Sequence, residues 1–534
     1  MKFQIPNFKS QIENGNFWIF LILIFAAFLR LYRIQDYMTF LGDEGRDVLV
    51  VYNILHGKLT LLGPTASVGG FFLGPIYYYF MAPFLWLFNY NPVGPAIMVA
   101  LFGIATVYLT YKFSEEFFNK RVAIIASFIY AIPPLIIAYS RSSWNPNIFP
   151  FFSILSVYFL YKAVKNNSSK LFVLTGILLG ISIQLHYLAL FLGAVIFSYL
   201  LVINLIRARL VSFKNSIWNL VKENLSIFAG FLLGVFPFLA FEGRHGFPNT
   251  RSILNFILNA GDTGFGGKFL DNISNVFFRL FGRLVTNFPP PEQVAVRAHL
   301  DMAVWYYLTL FLAIVSVLIL LYKFVQVYKS LGKIKESLRF YQLLLLIIWL
   351  VVGIGLFGFY KKPIYDYYLG FMFPLPFILS AVAFDFFIFN KKNIFKIAGI
   401  AGLIAVVYIN LTGVPFRHEP NRQLAQVKKI SEFVLEKTDD KPFNFALITG
   451  GNSDHAYRYF FTLENKFPVI IQNSQVDPQR ESVTDQLLIV CEINPCSPLG
   501  HPLWEVAGFG RAEIVGEWTV SVVKVYKLVR YKGQ

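Results

Sequence analysis

The sequence predicts a polytopic α-helical membrane protein that ends in a small soluble α/β domain. Of its 534 residues, 56% are hydrophobic and only 14% are charged, whereas soluble domains carry about a quarter charged residues. The apolar residues come in runs of about twenty, the length that crosses a bilayer core as a helix. The first run, at 16–34, is too long and lacks the small-residue cleavage site of a signal peptide, so we expect it to remain as a helix.

About eleven transmembrane helices are predicted from these runs. After the first, they lie at 94–111, 122–140, 147–164, 171–184, 187–206, 223–241, 301–322, 341–359, 366–389 and 395–412. The pair at 171–184 and 187–206 is short, and either a broken helix or a tight hairpin would explain it. Residues 1–413 are therefore predicted to form the membrane module.

The positive charges indicate the orientation of these helices. Loops rich in Lys and Arg, at 112–121, 162–170, 207–222, 323–339 and 391–396, alternate with loops that are poor in them, as expected for cytoplasmic connections. The net charge of +17 has no clustered basic face, so nucleic acid is excluded as a partner. Segment 70–89 is predicted to be a re-entrant or interfacial helix, because a full crossing there would place 112–121 outside.

Three segments are then predicted on the external side, namely the loops 35–93 and 242–300 and the C-terminal domain 414–534. Within this domain, charge density rises, strands are predicted at 443–448, 469–472, 486–491 and 520–528, and an amphipathic helix at 423–436. Its two cysteines, Cys491 and Cys496, could form a bridge in an oxidising compartment or remain free thiols, and the sequence leaves both open.

Asp43 and Glu44 are the candidate catalytic residues. They follow the first apolar run by about ten residues, between Gly42 and Gly45, in a chain poor in acids. Adjacent carboxylates just outside a membrane could deprotonate an acceptor hydroxyl or hold a divalent cation. The alternative is structural, because Asp43 could cap a helix that continues to about residue 55.

Other candidates lie at the predicted external ends of helices. Cations against the positive-inside trend suggest contacts with a lipid phosphate, and polar or aromatic residues at turns suggest a substrate cavity. The predicted phosphate contacts are Arg141, Arg244, Lys361 and Lys362, and the predicted cavity residues are Asn145, His186, Tyr187 and Tyr367. Each has a structural alternative as a cap, a core residue or a solvated charge. No P-loop, GxGxxG after a strand, HExxH or GxSxG occurs, so nucleotide-driven transport and common hydrolase chemistry have no support.

The Asp-Glu pair after the first span, the long first external loop, the short mid-chain helix pair and the external C-terminal domain together resemble the GT-C glycosyltransferases. The closest similarity is to the superfamily of protein O-mannosyltransferases and lipid A aminoarabinose transferases, over about residues 15–412. Asn145-Pro146 stands where some members have Asp-Pro, and His186 stands where some have Lys.

The resemblance implies a donor, a site and a reaction. The donor would be a polyprenyl-phosphate-linked sugar, and a monosaccharide would pass with inversion to a hydroxyl of unknown acceptor identity. Asp43 would be the base, with Glu44 in support, on the extracytoplasmic face of the plasma membrane. No cofactor is certain, although a divalent cation at Asp43 and Glu44 is one option. A polysaccharide polymerase or ligase, and a flippase for lipid-linked sugars, remain the alternatives.

Overall fold

Helices account for most of the chain in the computed structural model, which describes residues 15–66, 69–210, 212–258, 268–294, 296, 299–329 and 334–531. Parts of the predicted loops 35–93, 242–300 and 323–339 lie outside the described residues. The first helices are α1 (Gly15–Leu31), α2 (Ile34–Tyr37), α3 (Gly42–Leu55), α4 (Ile76–Leu87), α5 (Val93–Phe117), α6 (Lys120–Ala131), α7 (Pro134–Tyr139), α8 (Phe149–Asn166), α9 (Ser169–Leu185) and α10 (Ala189–Leu210). They continue with α11 (Phe213–Gly234), α12 (Phe236–His245), α13 (Pro248–Leu258), α14 (Phe269–Gly282), α15 (Leu300–Lys329), α16 (Ile334–Phe357), α17 (Pro374–Ile388) and α18 (Asn393–Thr412).

The C-terminal part adds helices α19 (Gln423–Glu436), α20 (His455–Leu463) and α21 (Trp504–Ala507) and strands β1 (Asn444–Ile448), β2 (Gln486–Cys491), β3 (Ala512–Val520) and β4 (Val523–Arg530). The chain divides into two compact units. The first takes the described residues up to Tyr32 together with 60–80 and 97–418, and the second takes 33–59, 81–96 and the described residues from Glu419 onward.

The described residues contain six helices long and apolar enough to cross a membrane, or eight if each of two bent helix pairs counts as one span. The bent pairs are α11–α12, with an angle of 74°, and the 3₁₀ segment Asp366–Met372 with α17, with an angle of 66°. The predicted number of eleven is not confirmed. Three predicted spans correspond to shorter elements: α1, α9 and the segment 122–140, which is broken into α6 and α7. The break follows from Pro133, which has no N–H to continue the ladder of α6.

The short helix α9 is held by unusually close packing against α11. A Cβ placed on Gly176 would collide with the carbonyl of Ile227, and a Cβ on Gly230 would collide with the carbonyl of Val173. Such small-residue contacts let two helix backbones approach in an apolar environment. The first helix of the predicted mid-chain pair is therefore packed tightly against α11, and it ends at His186.

The second unit contains a four-stranded sheet in the order β1-β2-β4-β3. Strands β1 and β2 are parallel and are joined through α20, whereas β2–β4 and β3–β4 pair antiparallel. Its core includes Ile448, Leu487, Ile489 and Leu528, and Cys491 and Cys496 form a disulfide. The small α/β element that the sequence predicts is thus present, and α19 has the predicted bounds.

One predicted strand is absent, and one strand of the sheet was not predicted. The segment 469–472 forms no strand, because Val469 makes one backbone bond, to Phe443 O, before the chain turns. Strand β3 was not predicted, since it is a largely exposed edge strand with polar residues and a glycine along it. The second unit also includes residues 33–59, and with them Asp43 and Glu44.

Candidate functional site

The first turn of α3 carries the Asp-Glu pair. Helix α3 begins after Leu41, which has no side-chain acceptor for the exposed N–H groups of a helix start. Instead, Glu44 Oε2 accepts the N–H of Leu41 at 3.0 Å, and Asn452 Oδ1 accepts the N–H of Gly42 at 2.8 Å. The backbone that presents Asp43 is therefore fixed from both sides.

Asp43 is the accessible member of the pair. Its side chain is 56% exposed, and its Oδ1 accepts a bond from Arg46 Nη1 at 2.9 Å. Arg46 also donates to Asp47 Oδ1 at 2.8 Å, and the Asp47 side chain is fully buried. The buried Asp47 thus anchors an arginine that holds the Asp43 carboxylate while leaving it open to solvent.

Glu44 has the opposite environment. It is 7% exposed, and burial raises the pKa of its carboxyl from 4.5 to about 7, with smaller contributions from Asp47 and Asp43. The bond from Leu41 N–H acts against this rise but does not cancel it. Glu44 is consequently partly protonated near neutral pH, and it supports the helix start more directly than it faces a substrate.

Residues of the second unit that the sequence did not single out surround this turn. Ser453 and Ala456 occupy the space that a side chain at Gly42 or Gly45 would need. Ser453 Oγ lies 2.8 Å from His455 Nδ1. Burial lowers the pKa of His455, and Arg46 and Asp43 both belong to its electrostatic surroundings, with opposing effects.

The first unit contains an apolar cavity of about 400 Å³. Its wall combines the segment 71–74 with residues of α9, α10, α11, α12, α13 and the end of α16. Polar groups reach the wall at three side chains: Gln184, Tyr187 and Tyr360. A cavity of this size and composition suits an isoprenoid or acyl chain better than a hydrophilic molecule.

The predicted cavity residues fall into two groups. Tyr187 lines the cavity, and its hydroxyl lies 3.0 Å from that of Tyr360. The other three are packing residues next to it. Asn145 donates to Leu185 O at 2.6 Å, His186 is buried and stacks on Tyr187, and Tyr367 packs on Trp144 and His186.

The predicted phosphate contacts are also divided by exposure. Arg141 is 1% exposed, and its guanidinium donates to Leu29 O and Tyr32 O, so this placement favours a structural role. Arg244 is exposed near the end of α12. Lys361 and Lys362 are exposed and directly follow Tyr360, which lines the cavity.

Part of the chain is similar in sequence to known proteins. A sequence model of the dolichyl-phosphate-mannose-protein mannosyltransferase family matches residues 73–240. YkcB of Bacillus subtilis (strain 168), named as a candidate mannosyltransferase, is 24% identical over 211 residues, which cover 39% of this chain and 30% of that protein. The match therefore spans less than a third of that relative's length.

Solved structures extend the similarity to nearly the whole chain. ArnT from Cupriavidus metallidurans in the apo state superposes with a TM-score of 0.59 at 13% identity, over 96% of this chain and 98% of its own. The chain has the GT-C glycosyltransferase fold. ArnT bound to undecaprenyl phosphate gives a TM-score of 0.57 at 13% identity with the same coverage. AglB from Archaeoglobus fulgidus, in complex with an inhibitory peptide and a dolichol-phosphate, gives 0.50 at 14% identity over 90% of this chain and 69% of its own.

The GT-C fold confirms the resemblance inferred from the Asp-Glu pair and the layout of the loops. It also confirms a multi-pass membrane protein, in agreement with the six to eight long apolar helices of the described residues.

The two side chains at which a divalent cation was predicted are engaged in other ways. Asp43 is bound to Arg46, and Glu44 is buried with a raised pKa. Across the part of the chain that the structure describes, no group of three or more His, Cys, Asp or Glu side chains is placed to hold a metal. We therefore assign no step to a metal, and the cation remains an untested prediction.

A partly buried charge cluster in the first unit was not predicted as a group. Asp366 accepts bonds of 2.7 Å from both Arg279 and Arg283, and Arg279 also pairs with Glu292. The sequence analysis did not connect Asp366 with these arginines. Their separations along the chain, 87 and 83 residues, hide the pairing from any local pattern.

Proposed function

We propose that this chain is a membrane glycosyltransferase that transfers a monosaccharide from a polyprenyl-phosphate sugar to a hydroxyl acceptor. The observation that carries the proposal is the first turn of α3, where an exposed carboxylate is held by an arginine beside a buried carboxyl. The GT-C fold supports a glycosyltransferase. The undecaprenyl phosphate bound by ArnT and the dolichol-phosphate bound by AglB support a lipid-linked donor.

In the proposed reaction, the Asp43 carboxylate takes the proton of the acceptor hydroxyl. The acceptor oxygen then attacks the anomeric carbon of the sugar as the bond from that carbon to the phosphate oxygen breaks. The electron pair leaves with polyprenyl phosphate, and one displacement inverts the anomeric configuration. A general base of this kind contributes about 100- to 10,000-fold to the rate.

The first unit offers groups for the donor. The apolar cavity would take part of the polyprenyl chain, and the hydroxyl pair of Tyr187 and Tyr360 would mark its polar part. Lys361 and Lys362 would bind the phosphate because they are exposed directly after Tyr360. Arg244 is a further candidate, since it is exposed on a helix that lines the cavity.

We place the reaction on the extracytoplasmic side of the plasma membrane. The distribution of Lys and Arg between loops supports this orientation. The disulfide between Cys491 and Cys496 supports an oxidising surrounding for the second unit, which also carries Asp43.

The proposal is tested with purified full-length protein and a panel of radiolabelled polyprenyl-phosphate sugars, including mannosyl, glucosyl and aminoarabinosyl forms. Membrane lipid, peptide and glycan fractions serve as acceptors, with and without a chelator. We expect label transfer from one class of donor, with an inverted linkage in the product and no loss on chelation. If the protein moves the intact donor across vesicle membranes without any sugar transfer, it is a flippase and the proposed transferase function is wrong.

A further inference from the structure

The helix that carries Asp43 does not cap itself. Leu41 occupies the capping position of α3 and offers no side-chain oxygen, so the N–H groups of the first turn need acceptors from elsewhere. Glu44 satisfies one of them within the turn. The N–H of Gly42 is satisfied by Asn452, a residue 410 positions away in the chain.

The Asn452 amide is oriented by Glu492. Its Nδ2 donates to both Glu492 oxygens at 3.1 and 3.2 Å, and this fixes Oδ1 on the side of Gly42. Glu492 is itself held by Thr449 Oγ1 at 2.7 Å and by the Tyr457 hydroxyl at 2.8 Å. Because the Glu492 carboxylate can only accept hydrogen bonds, a flipped Asn452 amide would place its oxygen against the oxygens of Glu492.

Close packing ties the same loop to the same turn. A Cβ on Gly42 would collide with Ser453, and a Cβ on Gly45 would collide with the backbone of Ala456. The first turn of α3 therefore lies directly on the segment 452–456, and the bond from Gly42 to Asn452 lies one residue before Asp43.

We propose that Asn452, oriented by Glu492, is a positioning residue that caps α3 and thereby fixes the Asp43 carboxylate for proton transfer. The inference rests on the proposed glycosyltransferase function, and it adds the C-terminal residues to the apparatus of that site. A shift of about 1 Å in a reacting group costs on the order of 100-fold in rate, so a cap lost next to Asp43 should slow the reaction while leaving donor binding intact.

An exchange of the amide and the carboxylate tests this pairing. Asn452→Asp places two carboxylates side by side and removes the amide donor, and we expect kcat to fall about 10- to 100-fold with the donor KM within about twofold. In the double variant Asn452→Asp/Glu492→Gln, the new amide donates to the new carboxylate, which again accepts the Gly42 N–H. We expect that variant to recover most of kcat. Asn473→Asp, at an exposed turn, is the matched control and should change neither constant.

Hydrogen exchange gives a readout that does not need the reaction. In Asn452→Asp, peptides covering residues 41–46 should exchange faster, those covering β2 and β4 should not, and the double variant should restore protection. Unchanged exchange at 41–46 would overturn the inference, as would a loss of activity that the double variant does not repair. If the wild-type protein transfers no sugar at all, the proposed function fails, and exchange at 41–46 alone then decides whether Asn452 caps α3.

Discussion

Two carboxylate sites in this molecule use their arginines in different ways. Asp366, in the first unit, is 10% exposed and lies between Arg279 and Arg283, each at 2.7 Å. Asp43, in the second unit, is 56% exposed and is bound by Arg46. A largely buried carboxylate that exchanges its water for two guanidinium groups serves stability, because its removal takes away the partner that Arg279 and Arg283 share. An exposed carboxylate with its arginine anchored elsewhere remains accessible to a substrate.

The Asp-Glu pair itself shows the same contrast at shorter range. Glu44 follows Asp43 directly, yet it is 7% exposed and bonds to a backbone N–H. A helix start favours a negative charge, but for Glu44 the effect of burial is larger and raises its pKa to about 7. The two adjacent acids therefore lie in different environments: Glu44 is buried and bonds the helix start, whereas the Asp43 carboxylate is open to solvent.

Asp43→Asn should produce the largest effect on activity. The amide keeps the shape of the side chain and still accepts from Arg46, but it cannot take a proton, so transfer should fall by about 100- to 10,000-fold. The measurement is the radiolabel transfer rate at equal membrane abundance.

Asp36→Asn is the matched control, because Asp36 forms a similar exposed pair with Arg33 at 2.7 Å and at the same spacing. Full activity in Asp43→Asn would show that Asp43 is not the general base. Its exposure, unlike the burial of Asp366, would then have no catalytic meaning.

Asp366→Asn should have the largest effect on stability. The change takes the shared carboxylate from two largely buried arginines, which costs up to about 3 kcal/mol because Arg279 keeps its pair with Glu292 and Arg283 keeps its bond to Phe288 O. The midpoint of thermal unfolding in detergent should fall clearly. Glu432→Gln is the control, since its pair with Lys428 is 3.8 Å long and more than half exposed, and such pairs contribute about 1 kcal/mol or less. If Asp366→Asn unfolds at the same midpoint as the wild type, the cluster around Asp366 does not stabilise the fold.

Local patterns in the sequence predicted the elements that depend on local physics. Helix α19 has the predicted bounds because its apolar residues repeat with helical spacing, and strand β2 matches because a buried parallel strand is a short continuous apolar run. Asp43 was singled out because two acids in an apolar chain stand out. Strand β3 was not predicted because an edge strand with Glu513, Gly516 and Glu517 has no regular alternation of apolar residues.

What the sequence could not predict depends on distant contacts. Arg279 and Arg283 drew attention as cations, but nothing local to them identifies Asp366 as their partner. Asn452 lies in a glycine-containing loop after β1, and only the folded chain places its amide on Gly42. Arg141 was predicted to contact phosphate, and its burial against two carbonyl groups depends equally on tertiary packing.

Glu44→Gln should change how stability depends on pH. The folded pKa of about 7 lies above the usual 4.5, so the folded state holds the proton more tightly than the unfolded chain does. The resulting stabilisation is complete below about pH 4.5 and is lost as pH rises through 7, a change of up to about 3 kcal/mol. Glutamine stays neutral throughout, so the decline in unfolding midpoint between pH 5 and 8 should become smaller.

Glu436→Gln is the control for this experiment, because Glu436 is 66% exposed on the surface of the same unit. If wild type and Glu44→Gln lose stability in parallel as pH rises, Glu44 does not hold a proton in the folded state, and the division of roles within the Asp-Glu pair is wrong.

The double variant Lys361→Ala/Lys362→Ala should give the smallest of these effects. It applies the comparison of buried and exposed charges to the loop that contains Asp366. The arginines that pair with Asp366 lie at the end of α14 and are mostly buried, whereas the two lysines precede Asp366 in its own loop and are exposed directly after Tyr360. If the lysines bind the donor phosphate, their loss removes about 1–2 kcal/mol of charge-assisted binding, so the donor KM should rise about 5- to 30-fold with kcat little changed.

Lys391→Ala/Lys392→Ala is the matched control, because it removes an equally exposed lysine pair from a loop predicted to be cytoplasmic. An equal rise in KM for both double variants would mean that the lysines act through net charge alone, and the phosphate would then have to be bound by other cations such as Arg244.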